Sequence, residues 1–167
     1  MTGILFIFLA GAALHFVFAL SGDLRPVAII AAVNESVWEH LKIGFWPAFI
    51  WAIIELFVFG IRTKNFLFAK GIAFTMSALL ITGIYYITKA AGIESLPIDI
   101  TNFFVSIAIA QTISYRLILV QRGSRVLNVI GVLLIAVNIA AFSALSYYPP
   151  HNPIFLDPVS GGYGIIK

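Results

Sequence analysis

Residues 3–20 read GILFIFLAGAALHFVFAL, a stretch without Asp, Glu, Lys or Arg. A transmembrane α-helix needs about 20 predominantly apolar residues to cross a hydrocarbon core roughly 30 Å thick. No basic segment precedes the stretch, and no small-x-small cleavage pattern follows Leu20. Because a secretory signal peptide has both features, we interpret residues 3–20 as a retained first membrane span.

The composition of the whole chain agrees with that of its first span. Only 10% of the 167 residues are charged and 61% are hydrophobic, whereas a soluble domain has about 25% charged residues. The formal net charge is +3, but the basic residues lie in short loops, where they indicate orientation rather than nucleic-acid binding. The lack of cysteine excludes disulfides, thiolate metal sites and cysteine nucleophiles. We therefore predict an all-α integral membrane protein in a lipid bilayer, with no nucleic-acid partner.

Four later segments are also long and apolar enough to cross a membrane. No internal repeat divides the chain, so we predict a single membrane domain, residues 1–167. The last span is stopped by Pro149 and Pro150, which cannot continue a helix. The predicted spans are residues 3–20, 43–60, 66–90, 98–120 and 126–148.

The outer segment, residues 26–42, is harder to assign. Pro26 suits the first turn of a helix, but the apolar residues 27–33 are too few to cross a membrane. Residues 34–42, NESVWEHLK, are polar and compatible with a helix. The segment could lie at the membrane interface, re-enter the membrane partway, or extend the second span outward. The sequence leaves these three alternatives open.

Basic residues in the short loops predict the orientation of the spans. The loops after the second and fourth spans contain Arg62, Lys64, Arg122 and Arg125, whereas residues 92–97 contain no basic residue. Since Lys and Arg are enriched in cytoplasmic loops, we expect the N-terminus in the cytoplasm and the C-terminus outside.

This orientation gathers polar residues at the outer face. All three histidines and every acidic residue except Glu55 fall in the outer half of the protein. If residues 34–42 are helical, Glu35 and Glu39 are neighbours at i and i+4 and repel each other. Lys42, a shared proton or a bound cation would offset that repulsion.

Carboxylates and imidazoles together can act as general acids and bases or bind a divalent metal. We predict Glu35, Glu39 and His40 as catalytic residues. The predicted ligands of a divalent metal such as zinc are His15, Glu39, His40, His151 and Asp157. The alternative is an interfacial helix whose charges reach water and which Trp38 and Trp46 anchor at the membrane surface.

The C-terminal residues 149–167 differ from an ordinary free tail. Four prolines stiffen the first ten of these residues, three glycines permit turns after them, and apolar side chains recur throughout. We predict a lid that packs back onto the outer ends of the helices and brings His151 and Asp157 with it. The alternative is a lid that only stabilises the helices.

Two motifs resemble those of a known family. The segment NESVWEHLK at residues 34–42 and the segment HNPIFLDPVSGGYG at residues 151–164 resemble a family of small prokaryotic multispanning membrane proteins of unknown function. The likeness covers nearly the whole chain. It implies this architecture and a prokaryotic cell membrane, and it implies no activity.

One acidic residue lies within a predicted span. Glu55 falls in the inner half of the second span, where a charge is costly and usually has a partner inside the protein. Lys70 and Arg116 lie at comparable depth, and we predict a structural ion pair between Glu55 and Arg116. The alternative is a relay for protons or ions.

Three functions remain open from the sequence. The first is a membrane-embedded, metal-dependent hydrolase or transferase that acts on a lipid-like or small-molecule ligand at the outer face. The second is a transporter or channel for small solutes or ions, as a homo-oligomer, with Glu55 and Arg116 along its path. The third is a non-catalytic partner of another membrane protein.

Overall fold

The computed structural model describes residues 1–59, 64–120 and 123–165. In this part of the chain, five α-helices are each long and apolar enough to cross a membrane, and no β-strand is present. The helices are α1 (Thr2–Leu20), α2 (Val37–Phe59), α3 (Phe66–Ala90), α4 (Leu96–Leu119) and α5 (Arg125–Ala144). The predicted fold class, an all-α integral membrane protein, is confirmed.

Two helix boundaries differ from the predicted spans. Helix α2 begins at Val37, so residues 37–42 extend the second span, and only Arg25–Ile29 forms a separate short 3-10 helix. The polar residues of this extension are helical because they bond within the protein, as described below. Helix α5 ends at Ala144, and a tighter turn follows, in which the N–H of Tyr147 donates to the carbonyl of Ala144 (3.0 Å).

Side-chain hydrogen bonds join the helices at one end of the bundle. The amide of Asn65 donates to the carbonyl of Val120 (2.7 Å), and the amide of Asn128 donates to the carbonyl of Lys64 (2.7 Å). These bonds hold the start of α3 against the end of α4 and the start of α5. We call the opposite end, where α1 ends and α2 begins, the site end.

The centre of the bundle is aromatic. The ring of Phe45 lies 5.3 Å from the ring of Phe74 and 5.0 Å from that of Phe142. This contact joins α2, α3 and α5. Large apolar side chains are also exposed along the outer surfaces of the helices, as expected where lipid chains rather than water surround the protein.

Helices α3 and α5 approach each other closely at two glycines. A Cβ atom on Gly71 would lie 2.7 Å from the carbonyl oxygen of Gly131, and one on Gly131 would lie 2.5 Å from the backbone of Leu67. One turn further along α3, the hydroxyl of Thr75 accepts a hydrogen bond from the amide of Asn138 (3.1 Å). Small residues at helix interfaces allow such contact in membranes.

We expect Gly71→Ala to destabilise the protein by about 1–3 kcal/mol, because the added methyl group meets the backbone of α5 rather than a side chain that can move. Gly83→Ala in the same helix is the matched control, since a Cβ there meets nothing within 4 Å. The measurement is the free energy of unfolding in mixed micelles. Equal stabilities of the two variants would contradict this account of the contact.

Candidate functional site

A tight turn before α2 orients the residues of the first motif. The side-chain oxygen of Asn34 accepts a hydrogen bond from the N–H of Ser36 (2.9 Å), and its amide donates to the carbonyl of Gly164 in the tail (2.8 Å). The turn therefore ends in a defined geometry immediately before the helix. It places Glu35 beside the end of α1.

Three predicted site residues meet at this position. The Oε2 atom of Glu35 lies 3.3 Å from Nε2 of His15 and 3.8 Å from Nε2 of His40. The two imidazole rings are 5.2 Å apart, centroid to centroid. One ligand atom from each residue lies within 4.8 Å of the other two. We call these three residues the histidine–carboxylate cluster.

The second nitrogen of His40 fixes the ring. Its Nδ1 lies 2.9 Å from the backbone carbonyl of Ser36. Because a carbonyl only accepts hydrogen bonds, Nδ1 donates its N–H to it, and Nε2 is the nitrogen on the side of the cluster. A histidine that donates its other N–H to a backbone carbonyl is the common arrangement among metal-binding histidines.

A cavity of about 570 Å³ adjoins the cluster. Its polar wall contains the cluster and Asp99, which α4 contributes from the facing side. The remaining wall is largely apolar and includes Phe8, Ala12, Phe16, Ile43, Ile81 and Phe103. Asp99 was not among the predicted site residues, although its place in the first turn of α4 puts it at the site end.

Glu39 was predicted as a catalytic and metal-binding residue, and the structure places it elsewhere. It is buried in an ion pair with Lys42. Its Oε1 atom accepts a hydrogen bond from the hydroxyl of Ser146 (2.6 Å), and its Oε2 atom accepts one from the N–H of Val33 (3.1 Å). Both oxygens therefore bond to the buried network, and Glu39 is not part of the histidine–carboxylate cluster.

Lys42 completes this buried network. Its ammonium group donates to the carbonyl of Ala28 (2.8 Å) and to the hydroxyl of Ser146 (2.8 Å), besides pairing with Glu39. The sequence analysis named Lys42, a shared proton and a bound cation as ways to offset the repulsion between Glu35 and Glu39. The structure contains the first of these, the ion pair between Lys42 and Glu39. The network joins α2 to the segment before it and to the end of α5.

We expect Lys42→Met to destabilise the protein by about 3–5 kcal/mol, because it leaves the Glu39 carboxylate buried without its counter-charge. The double variant Glu39→Leu/Lys42→Met should recover much of that loss, since no uncompensated charge remains. Thermal and denaturant unfolding in detergent measure both effects.

Glu35→Gln is the control for this experiment, because the Glu35 side chain is 48% exposed and is not part of the buried network. Its stability should stay close to that of the wild type. A Lys42→Met protein as stable as Glu35→Gln would show that the buried pair is not required.

The tail docks onto α2 through Trp38. The Trp38 ring lies between Phe155 of the tail (4.6 Å) and Phe142 of α5 (4.7 Å). Its backbone N–H donates to the carbonyl of Ile154 (2.9 Å). Trp38 was considered as an anchor at the membrane surface, and the structure instead gives it this packing role between the tail and the bundle.

Asp157 was predicted as a metal ligand, and the structure shows it folding the tail. Its carboxylate accepts hydrogen bonds from the N–H groups of Val159 (3.1 Å) and Ser160 (3.2 Å) and from the Ser160 hydroxyl. Burial alone would raise the pKa of Asp157, but these bonds, with one from the N–H of Glu35, hold the pKa below its ordinary value. The ionised carboxylate thus holds the turn of the tail at Val159 and Ser160.

His151, the other ligand predicted from the tail, lies apart from the cluster as well. Its ring packs on that of Tyr163 at 4.6 Å between centroids, and the residue is exposed. Of the five predicted metal ligands, His15 and His40 therefore converge, and the carboxylate beside them is Glu35.

We expect Asp157→Asn to speed hydrogen exchange in the tail at neutral pH. In this variant the stability of the docked tail should no longer depend on pH in acid. Because the folded-state pKa is lowered, ionised Asp157 stabilises the docked tail above the unfolded value near 4, and this contribution is lost as the pH falls through the lower folded-state pKa. Hydrogen exchange of residues 159–162, corrected for intrinsic rates, measures the effect.

Glu94→Gln is the control for the titration, since Glu94 is an exposed acid at the same end of the bundle. It should leave tail exchange unchanged at every pH. If Asp157→Asn behaves like Glu94→Gln, the carboxylate does not hold the tail.

The ion pair predicted within the membrane has a different partner. Glu55 pairs with Lys70 of α3 rather than with Arg116. Helix α2 packs against α3, which brings Lys70 to Glu55. Two buried polar residues of α4 are bonded as well, since the amide of Asn102 donates to the carbonyl of Ile81 in α3 (3.0 Å) and its oxygen accepts from the hydroxyl of Ser106 (3.0 Å).

The fold and the cluster define a class: helical, multispanning membrane proteins with a histidine–carboxylate cluster at one end of the bundle. Within that class, the chain belongs to the family of unknown function DUF6512, whose sequence model matches residues 1–165. The match confirms the resemblance to an uncharacterised family over nearly the whole chain. No curated protein and no solved structure matches the chain.

Proposed function

We propose that the protein binds a divalent metal ion, zinc by preference, through His15, Glu35 and His40, and that it is a membrane-embedded hydrolase or transferase. The observation that supports this proposal is the convergence of three ligand atoms within 4.8 Å of one another. They come from three parts of the chain: the end of α1, the turn before α2, and the first turns of α2.

The distances in the cluster suit a tetrahedral ion. Two ligand atoms, each about 2.0–2.1 Å from zinc at a tetrahedral angle, are about 3.3–3.4 Å apart. The Glu35 oxygen lies 3.3 Å from the His15 nitrogen and 3.8 Å from the His40 nitrogen. Small side-chain rotations bring all three atoms into range, and the partial exposure of these side chains permits them.

The ligand set also suits the chemistry. Two imidazoles and one carboxylate form the protein ligands of many catalytic zinc sites, and the fourth position is then open to water or substrate. In this proposal that position would be on the side of the cavity, whose lining includes all three ligands. A bound zinc ion lowers the pKa of its water to about 7 and so supplies a nucleophile at neutral pH.

Asp99 is the carboxylate on the facing wall of the cavity. In this proposal Asp99 would be the general base that takes a proton from the nucleophile. The turn at Asn34 positions Glu35, and the bond to the carbonyl of Ser36 positions His40. Ser36 itself is buried and contacts His40 through its backbone carbonyl. It is therefore a positioning residue rather than a nucleophile.

We expect the purified wild-type protein, with any affinity tag removed, to bind one zinc ion per chain. His15→Ala and His40→Ala should each weaken binding by a factor of about 10–100 or more, because each removes one of three protein ligands. The measurements are elemental analysis after dialysis and competition titration with a chromophoric chelator.

His151→Ala is the matched control, since it removes the remaining histidine of the chain, whose ring lies on Tyr163 rather than in the cluster. It should bind zinc as the wild type does. Stoichiometric zinc that survives both cluster substitutions, or a wild-type protein that binds none of zinc, manganese and iron, would overturn the proposal. In the second case the cluster is a plain imidazole–carboxylate ion pair.

A further inference from the structure

Helices α1 and α4 pack against each other beside the cavity. A Cβ atom on Gly11 would lie 2.9 Å from the ring of Phe103, so the two helices touch there. The ring of Phe8, one turn deeper, lies 5.3 Å from that of Phe104.

Toward the site end, three side chains of α1 and α4 that border the cavity are exposed: Phe16 (62%), Ile100 (47%) and Leu96 (71%). All three are apolar and lie on helices long enough to span a membrane, so we expect this side of the cavity to face lipid chains. Ile43 and Ile81, which are buried, form the back wall.

The C-terminal tail borders the polar end of the cavity. Pro158 and Val159 are part of its lining, and the bonds of Asp157 hold them there. The side between α1 and α4, bordered by Phe16, Leu96 and Ile100, is the side of the cavity that faces lipid chains.

The two ends of the cavity differ in chemistry. Imidazoles and carboxylates are confined to the end nearest the tail, and from His15 to Phe8 along α1 the wall is apolar for about 10 Å. The volume of about 570 Å³ falls in the range of roughly 300–1,000 Å³ that is typical of small-molecule sites. A ligand that matches this wall has a polar group at one end and a hydrocarbon chain at the other.

We propose that the cavity binds one acyl chain of a bilayer phospholipid, which enters sideways between α1 and α4 and brings its ester group to His15 and His40. This inference rests on the proposed function in one respect: it makes the lipid ester the substrate of the metal site. Entry of the chain into the cavity does not itself require the metal.

The experiment uses a phospholipid with a photoactivatable diazirine in one acyl chain, incorporated into nanodiscs with the full-length protein. Light then attaches the chain to whatever residue it touches, and peptide mass spectrometry locates the attachment. In the wild type we expect labelling of the buried back wall at Ile43 and Ile81, besides the general labelling of lipid-facing surfaces.

Two substitutions of equal size on α1 distinguish lipid bound in the cavity from lipid that touches the outer surface. Ala12 is exposed and lines the cavity, so Ala12→Phe should fill it and lower labelling of Ile43 and Ile81 at least fivefold. Ala13 is also exposed but lies outside the cavity, about 100° around the helix, so Ala13→Phe should leave that labelling unchanged. Zinc content is measured on the same samples and should be equal in all three proteins.

The outcomes distinguish the two proposals. Labelling confined to lipid-facing surfaces, or equal labelling of Ile43 in Ala12→Phe and the wild type, overturns lipid entry whatever the zinc content. Labelling that Ala12→Phe abolishes in a protein without zinc supports lipid entry and overturns the metal site. Zinc bound normally without back-wall labelling supports the metal site and overturns the lipid.

Discussion

The arrangement of the site end depends on the buried pair of Glu39 and Lys42. Both side chains are almost completely removed from solvent, and the cost of removing two charges from water is several kcal/mol for each ion. That cost is offset only where every remaining hydrogen-bonding position has a partner. Here the partners are Val33 and Ala28 in the segment before α2 and Ser146 at the end of α5.

These partners come from separate parts of the chain. The ion pair therefore has all its hydrogen bonds when those parts are packed together as they are here. A buried ion pair adds little net stability compared with apolar residues, but it penalises alternatives in which a partner is missing. The turn that holds Glu35 and the first turn of α2 that holds His40 lie directly beside this pair. Their positions relative to α1 therefore follow from it, even though neither Glu39 nor Lys42 belongs to the histidine–carboxylate cluster.

The sequence predicted the spans well because the bilayer constrains them strongly. Hydropathy over about 20 residues identifies a helix that must satisfy all its backbone groups internally, and five such helices are present in the described part of the chain. The contacts of the polar residues at the site were harder to predict, because hydropathy gives the depth of a residue but not the direction in which its side chain points. Glu55 is an example: Lys70 and Arg116 lie at similar depth, and the packing of α2 against α3 decides for Lys70.

The two acids of the first motif show the same limit at closer range. The spacing of Glu35 and Glu39 predicts neighbours on one helical face, but α2 begins at Val37. Glu35 therefore lies in the turn and faces His15, while Glu39 lies in the helix and faces Lys42. No local sequence pattern predicts the bond between Ser146 and Glu39, since the two residues are 107 positions apart along the chain.

The bond between the Asn34 amide and the Gly164 carbonyl links the turn at Glu35 to a residue near the C-terminus. During synthesis, α1 and α2, which contain the two histidines of the cluster, can leave the ribosome and enter the membrane before Gly164 exists. The turn at Glu35 therefore acquires its full set of bonds only when the tail has been made and has folded back over Trp38. The cluster is assembled last, after the helices that contain its histidines are already in place.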